Sequence, residues 1–155
     1  MKSRAQLEAA YAELRTKITI RRDELSDEIL CHAEYYRQVR ENGVWAAALA
    51  EDAIREKATV FAELCDDERA RQIESGGKVT KDTVEQVVRA TTKYLNACYA
   101  VTDAGVLRDM YEGLADAFKQ RSFRLNNLVE VHKVGLERDY VRETPARPRR
   151  KMEDV

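Results

Sequence analysis

The sequence predicts an all-α fold of long antiparallel helices packed as an elongated bundle, and three observations carry that prediction. Both prolines, Pro145 and Pro148, fall in the last eleven of 155 residues, so nothing ahead of them forbids a helix. Ala, Leu, Glu, Arg and Lys, all good helix formers, are plentiful throughout. Apolar residues recur at steps of three and four, and each series is a stripe, not an all-round apolar surface. At 35% charged and 7% aromatic residues, the chain has material for one thin, highly charged domain and not for a thick globule.

In chain order, a first helix is expected near Ser3 to Ile20 and a second over Asp23 to Arg40, with or without a break between them. The second carries its stripe on Leu25, Ile29, His32, Tyr36 and Val39. The run Glu41-Asn42-Gly43-Val44 predicts a turn or kink near 42–43. A third helix, Val44 to Glu74, has its stripe on Ala50, Ile54, Ala58, Phe61 and Cys65. The loop at 75–81, "SGGKVTK", places a glycine pair after one helix and Thr80 where it can cap the next. The fourth helix, Lys81 to Val101, presents Val84, Val87, Val88, Leu95 and Cys98. Thr102 is expected to cap a last helix from Asp103 to about Arg142, with a stripe on Leu107, Met110, Leu114, Phe118 and Leu125. Residues 1–142 thus form a single helical domain, and 143–155 form a basic, flexible C-terminal tail.

Helices of about thirty residues or more would each span about 45 Å, longer than a compact bundle of this mass requires. Their stripes should continue into other subunits, so a homo-oligomer is expected. No run approaches the roughly 18 to 20 apolar residues of a membrane span, and "MKSRAQLEAAYAELR" has acids where a signal peptide has its apolar core. A soluble protein of the cytoplasm, without membrane contact, is therefore expected.

Cys31, Cys65 and Cys98 contain no CxxC pair and read as small core residues, and His32 and His132 offer no metal spacing. The run "SGGK" lacks the spacing and preceding strand of a phosphate loop, and no Ser, His and Asp set surrounds a nucleophile turn. The expectation is a protein that is not an enzyme and needs no cofactor or metal.

Charge is segregated. Residues 23–74 hold fourteen acids and six bases, a balance of −8, and everything outside that block sums to +7 within a net charge of −1. A near-neutral chain divided in this way can still present a basic surface to a phosphate backbone. Lys78 and Lys81 follow the glycine pair, where exposed backbone N–H groups suit a phosphate. Lys119 and Arg124 lie off the strict stripe of the last helix and read as facing solvent or DNA, whereas Arg121 lies on it. Arg121 either is buried against a carboxylate of another helix, setting register, or lines an opening where the stripes of several subunits diverge. Trp45 reads as a packing residue at a helix start.

The order of features resembles the UvsY-type recombination mediators of tailed phages. It runs "YYRQVRENGVWAAALAEDAIREKA", then "ERARQIESGGKVTKDTVEQVV", then the tyrosine-bearing "ATTKYLNACYA", then "YEGLADAFKQRSFRLNNLVEVHK". The last run carries the most specific likeness, and "RAR" shortly ahead of "SGG" is similar to the family's basic triplet. The likeness covers roughly residues 25–136. It implies a ring-like homo-oligomer that binds single-stranded DNA, displaces the single-stranded DNA-binding protein and loads a RecA-like recombinase, in the host cytoplasm of a phage. Arg69 and Arg71 match the triplet and would be DNA contacts, and Lys119 and Arg121 match the basic pair of the last helix. The sequence departs from the pattern at Asp66, Asp67 and Glu68, acids directly ahead of the triplet.

A competing expectation is a helical scaffold or coiled-coil adaptor of a phage, whose charges serve only helix pairing. The two differ in one respect: a scaffold needs acids paired to the basic clusters, and a DNA binder needs the clusters unpaired. A third, a decoy that binds a DNA enzyme through the acidic 23–74 block, is disfavoured by the basic remainder of the chain.

Overall fold

The computed structural model describes residues 2–76 and 80–143, with side chains to residue 135. Helix α1 spans Arg4–Thr16, a single 3-10 turn follows at Arg22–Glu24, and α2 runs from Leu25 to Glu74, 50 residues. Helix α3 is short, Lys81–Arg89, and α4 runs from Thr92 to Glu143, 52 residues. Helices α2 and α4 pack along each other as a hairpin, with α1 against one end and α3 at the other.

The caps explain most boundaries. The Ser3 hydroxyl accepts from the Gln6 amide N–H while the Gln6 side chain takes the Ser3 N–H, a reciprocal box that starts α1. The helix ends at Thr16, four residues before the expected Ile20, where the Thr16 hydroxyl turns back to the Glu13 carbonyl. The Thr80 hydroxyl accepts from the Thr83 N–H and opens α3, as its position predicts. Gly76 closes the turn after α2 at φ +70°, a conformation that costs an L side chain energy.

Three expectations are corrected. No turn interrupts the chain at 42–43, and α2 passes straight through it. Asn42 is buried and accepts 2.6 Å from Lys2 Nζ, and a Cβ on Gly43 would stand 3.6 Å from the Tyr111 Cβ. The dipeptide that looks like a turn is a polar latch beside a close helix approach, and Trp45 packs in mid-helix. The helix expected over 81–101 instead breaks at Ala90–Thr91. There the Thr91 hydroxyl donates to the Val88 carbonyl and accepts from the Tyr94 N–H, so Thr91, and not Thr102, opens the last helix. Thr102 lies within α4 and donates to the Cys98 carbonyl.

The larger apolar cluster joins Leu7 and Leu14 of α1, Val39 and Ala46 of α2, and Leu107, Tyr111, Leu114, Ala115 and Phe118 of α4. Tyr111 anchors α1: its hydroxyl donates 2.7 Å to the Leu7 carbonyl, and its ring meets Tyr11 edge-on at 5.6 Å. Burial, and then the neighbouring Tyr11, push the Tyr111 phenol up to about 12. At the far end Cys65 packs with Val84 and Val88 beside Phe61 and Leu64. Cys31 is exposed and Cys98 half-buried, so of the three cysteines only Cys65 is a buried core residue.

Several stripe residues are not covered by the chain itself: Ile29, Ile54, Val87, Leu95 and Met110 are exposed. Gly113 also faces open space, with nothing within 4 Å of where its Cβ would stand. Gly113→Ala is therefore expected to raise stability by about 1 kcal/mol through helix propensity, read as a higher thermal midpoint. Among the described residues no helix is long and apolar enough to cross a membrane.

Candidate nucleic-acid interface

Arg121 resolves the anomaly on the α4 seam. It is 1% exposed, and its guanidinium forms an ion pair with the Glu28 carboxylate of α2. A second guanidinium nitrogen lies 2.9 Å from His32 Nδ1 and 3.5 Å from the Glu28 carbonyl oxygen. The other Glu28 oxygen accepts 2.8 Å from Arg21 Nε, in the segment ahead of α2. Phe118 lies under the guanidinium, ring centre 5.9 Å away. Arg121 Nε is buried without a partner. This is the register-setting alternative: burial between α2 and α4 removes Arg121 from any surface that a DNA strand reaches, so it is no longer a candidate contact.

The electrostatics of the cluster are internally consistent. Burial raises the Glu28 carboxyl, but the hydrogen bond from Arg21 and the charge of Arg121 outweigh it, and the net shift is downward. Burial and the adjacent Arg121 charge lower the His32 imidazole. Neutral His32 can accept from Arg121 through Nδ1, whereas a protonated ring has no lone pair there to offer.

The other candidate cations among the described residues are exposed and divide between the two ends of the hairpin. Near the loop, Arg69 pairs with Asp66 at 2.8 Å, Arg71 with Glu68 at 3.0 Å, and Lys81 with Glu85 at 3.7 Å. Near the opposite end Lys119 pairs with Asp116 at 2.9 Å. Each of these partners is three or four residues away on the same helix. Arg124 takes part in no ion pair among the described residues and lines a cleft with the segment between α1 and α2. Lys78 and the 144–155 tail lie outside the described residues. At 1.5 Å per residue the 50 residues of α2 measure about 75 Å, so the loop-end cations and the Lys119–Arg124 group do not meet within one chain.

Exposed pairs of this kind are worth only a few tenths of a kcal/mol and exchange readily for a phosphate. The acids ahead of the triplet do compensate it, through Asp66 on Arg69 and Glu68 on Arg71. Sequence reasoning missed Glu28 and Arg21, and it missed Arg22, which lines the cleft together with Arg124. Glu28 is four residues ahead of His32 on the same face, so its position was legible once His32 was put on the seam. Nothing in the sequence brings Arg22 and Arg124 together.

The fold and these contacts define an all-α helical-hairpin protein whose exposed cations are mostly held in local ion pairs. No protein-family model, curated protein or solved structure matches the chain.

Proposed function

We propose that the protein is a non-enzymatic recombination mediator of a phage. In this reading it acts as a homo-oligomer that binds single-stranded DNA, displaces the single-stranded DNA-binding protein and loads a RecA-like recombinase. The observation that carries the reading is a hairpin of two helices of 50 and 52 residues that leaves large apolar side chains uncovered, among them Leu30 at 76%, Phe123 at 69% and Val131 at 70% exposure. Copies of the same chain are the simplest cover for such faces, and every copy repeats the exposed Arg69, Arg71, Lys81, Lys119 and Arg124. A mediator must hold single strands without sequence preference and release them. Repeated weak phosphate contacts suit that task better than one deep pocket. The motif likeness to the UvsY-type mediators points the same way.

A helical scaffold or adaptor is the second reading. One observation favours it: Arg69, Arg71, Lys81 and Lys119 each already have a carboxylate within 4 Å.

Light scattering and single-stranded DNA affinity at two salt concentrations separate the two. A mediator is expected to be oligomeric and to lose DNA affinity steeply with salt, with a log–log slope of about −0.7 per phosphate contact. Arg69→Ala with Arg71→Ala should then keep mass and helix content and flatten the slope. An oligomer with no salt-dependent DNA binding is the scaffold.

A further inference from the structure

Two exposed cations that take part in no ion pair among the described residues, Arg22 and Arg124, line the same cleft. The segment joining α1 to α2 lies against the C-terminal half of α4, and a cleft of about 470 Å³ opens between them. Thr19, Ile20 and Arg22 line one wall, and Arg124, Asn127 and Leu128 line the other. No carboxylate contributes to the lining, and neither arginine takes part in an ion pair among the described residues. The surrounding chain is basic as well: residues 2–22 hold six bases and two acids.

Two arginines from separate elements, lining one cleft whose own lining holds no carboxylate, favour an anion there, although Arg22 also borders a neighbouring cleft that contains Asp23, Glu24 and Asp27. Arginine is suited to a phosphate in particular, because its planar fork donates two parallel hydrogen bonds. The Thr19 hydroxyl and the Asn127 amide add neutral donors that can reach phosphate or sugar oxygens. Ile20 and Leu128 provide an apolar floor for a sugar or the face of a base. With no aromatic side chain in the lining, stacking is absent and no base is preferred.

We propose that this cleft is a binding site for the sugar–phosphate chain of single-stranded DNA, with Arg22 and Arg124 gripping a phosphodiester and Asn127 and Thr19 orienting it. The proposal rests on the single-stranded DNA reading above and moves its principal contact to the end of the hairpin opposite Arg69 and Arg71. An acidic peptide would also neutralise the arginines. Its backbone N–H and C=O groups, however, would meet only Thr19 and Asn127 among largely apolar walls, whereas a sugar–phosphate chain brings no backbone N–H groups that need acceptors.

The test is Arg22→Ala with Arg124→Ala in the full chain, assayed for mass, helix content and affinity for an oligothymidylate over a salt series. Both side chains are exposed and outside any ion pair among the described residues, so fold and assembly are expected to stay intact. Two lost contacts should reduce the salt slope by about 1.4, which is an affinity loss of about 25-fold near 0.1 M salt. If the double variant assembles poorly, the single variants serve, each with an expected loss of about fivefold. Arg22→Lys with Arg124→Lys should retain most of the slope, because the charges remain. If the parent itself shows no salt-dependent binding, the single-stranded DNA reading fails and the cleft assignment falls with it. If the parent binds and the double variant matches it in affinity and slope, the cleft assignment alone is overturned. A variant that loses affinity for polyglutamate but keeps its affinity for DNA overturns it too, and makes the cleft a site for an acidic protein.

Discussion

Glu28→Ala is expected to lower stability by about 3–5 kcal/mol, because it leaves the 1% exposed Arg121 guanidinium buried without its carboxylate. Arg121→Ala should cost a similar amount for the converse reason, although Arg21 still reaches Glu28 and softens the loss. Removing both charges is a different matter. With Glu28→Leu and Arg121→Met together, apolar groups of similar volume fill the site, no buried charge remains, and stability should recover to near the parent value or above. What the pair then contributes is register: the double variant is expected to keep its helix content and to lose the uniqueness of the α2–α4 alignment, seen as broadened amide resonances.

The same cluster makes the protein acid-sensitive, and the sign follows from both shifts. The folded Glu28 pKa lies below its unfolded value, so its contribution is complete above the unfolded carboxylate range and is lost as the pH falls through the folded value. The folded His32 pKa is also lowered, so from about pH 6.5 downward the unfolded chain takes up a proton that the folded chain resists. The contribution of this cluster should be level from neutrality to about pH 8 and fall on acidification, beginning near pH 6.5. His32→Asn, which keeps an acceptor close to the place of Nδ1 but cannot be protonated, should remove the upper part of that fall. Urea unfolding over pH 4 to 8 measures it.

Phe118→Ala is expected to cost about 3–5 kcal/mol. Phe118 is fully buried, with His32 stacked 6.1 Å from its ring centre, Tyr35 edge-on at 6.5 Å and the Arg121 guanidinium over its face. Truncation opens a cavity beside the ion pair, so its effect should not add to that of Arg121→Ala. A double-mutant cycle is expected to give a coupling of about 0.5–3 kcal/mol, which chemical denaturation can resolve.

The helices and the thin layer they form were legible from proline placement and helical periodicity. The seam of α2 was legible only in part. Its line runs through buried Glu28, half-buried His32 and buried Val39, Asn42, Ala46 and Ala50, and three of those positions are polar. A search for apolar residues passes over Glu28 and Asn42 and settles on Ile29, which is exposed, while Asn42 beside Gly43 takes on the look of a turn. On α4, Arg121 stood out because a basic residue interrupted an apolar line, but its partner lies 93 residues away and no local pattern links the two. The cap at Thr91 was lost to Thr102 because both are threonines ahead of helical sequence, and the Thr91 hydrogen bonds, with Val84 and Val88 packed on Cys65, set α3 apart from α4. The candidate cations fared unevenly for a related reason: exposure can be read from periodicity, whereas a carboxylate three residues away only suggests a pair.

The two apolar clusters are far apart along the rod, one around Phe118 and the other around Val88, and Ile54 and Ala58 on the α2 stretch between them are exposed. Cooperative unfolding needs side-chain contacts that tie distant segments to one another, and here the stretch between the clusters is held by few large buried side chains, with small Ala50 and Ala104 buried and Phe61 and Tyr94 in contact at 5.4 Å. The α3 end, with three small buried residues, is therefore expected to open and reclose while the α1 end stays shut. Hydrogen exchange should rise steadily from residues near Phe118 towards the loop, and a heating scan should show a broad or stepped transition in place of one sharp midpoint. A chain that unzips from one end offers that end to other molecules far more often than its overall stability would suggest.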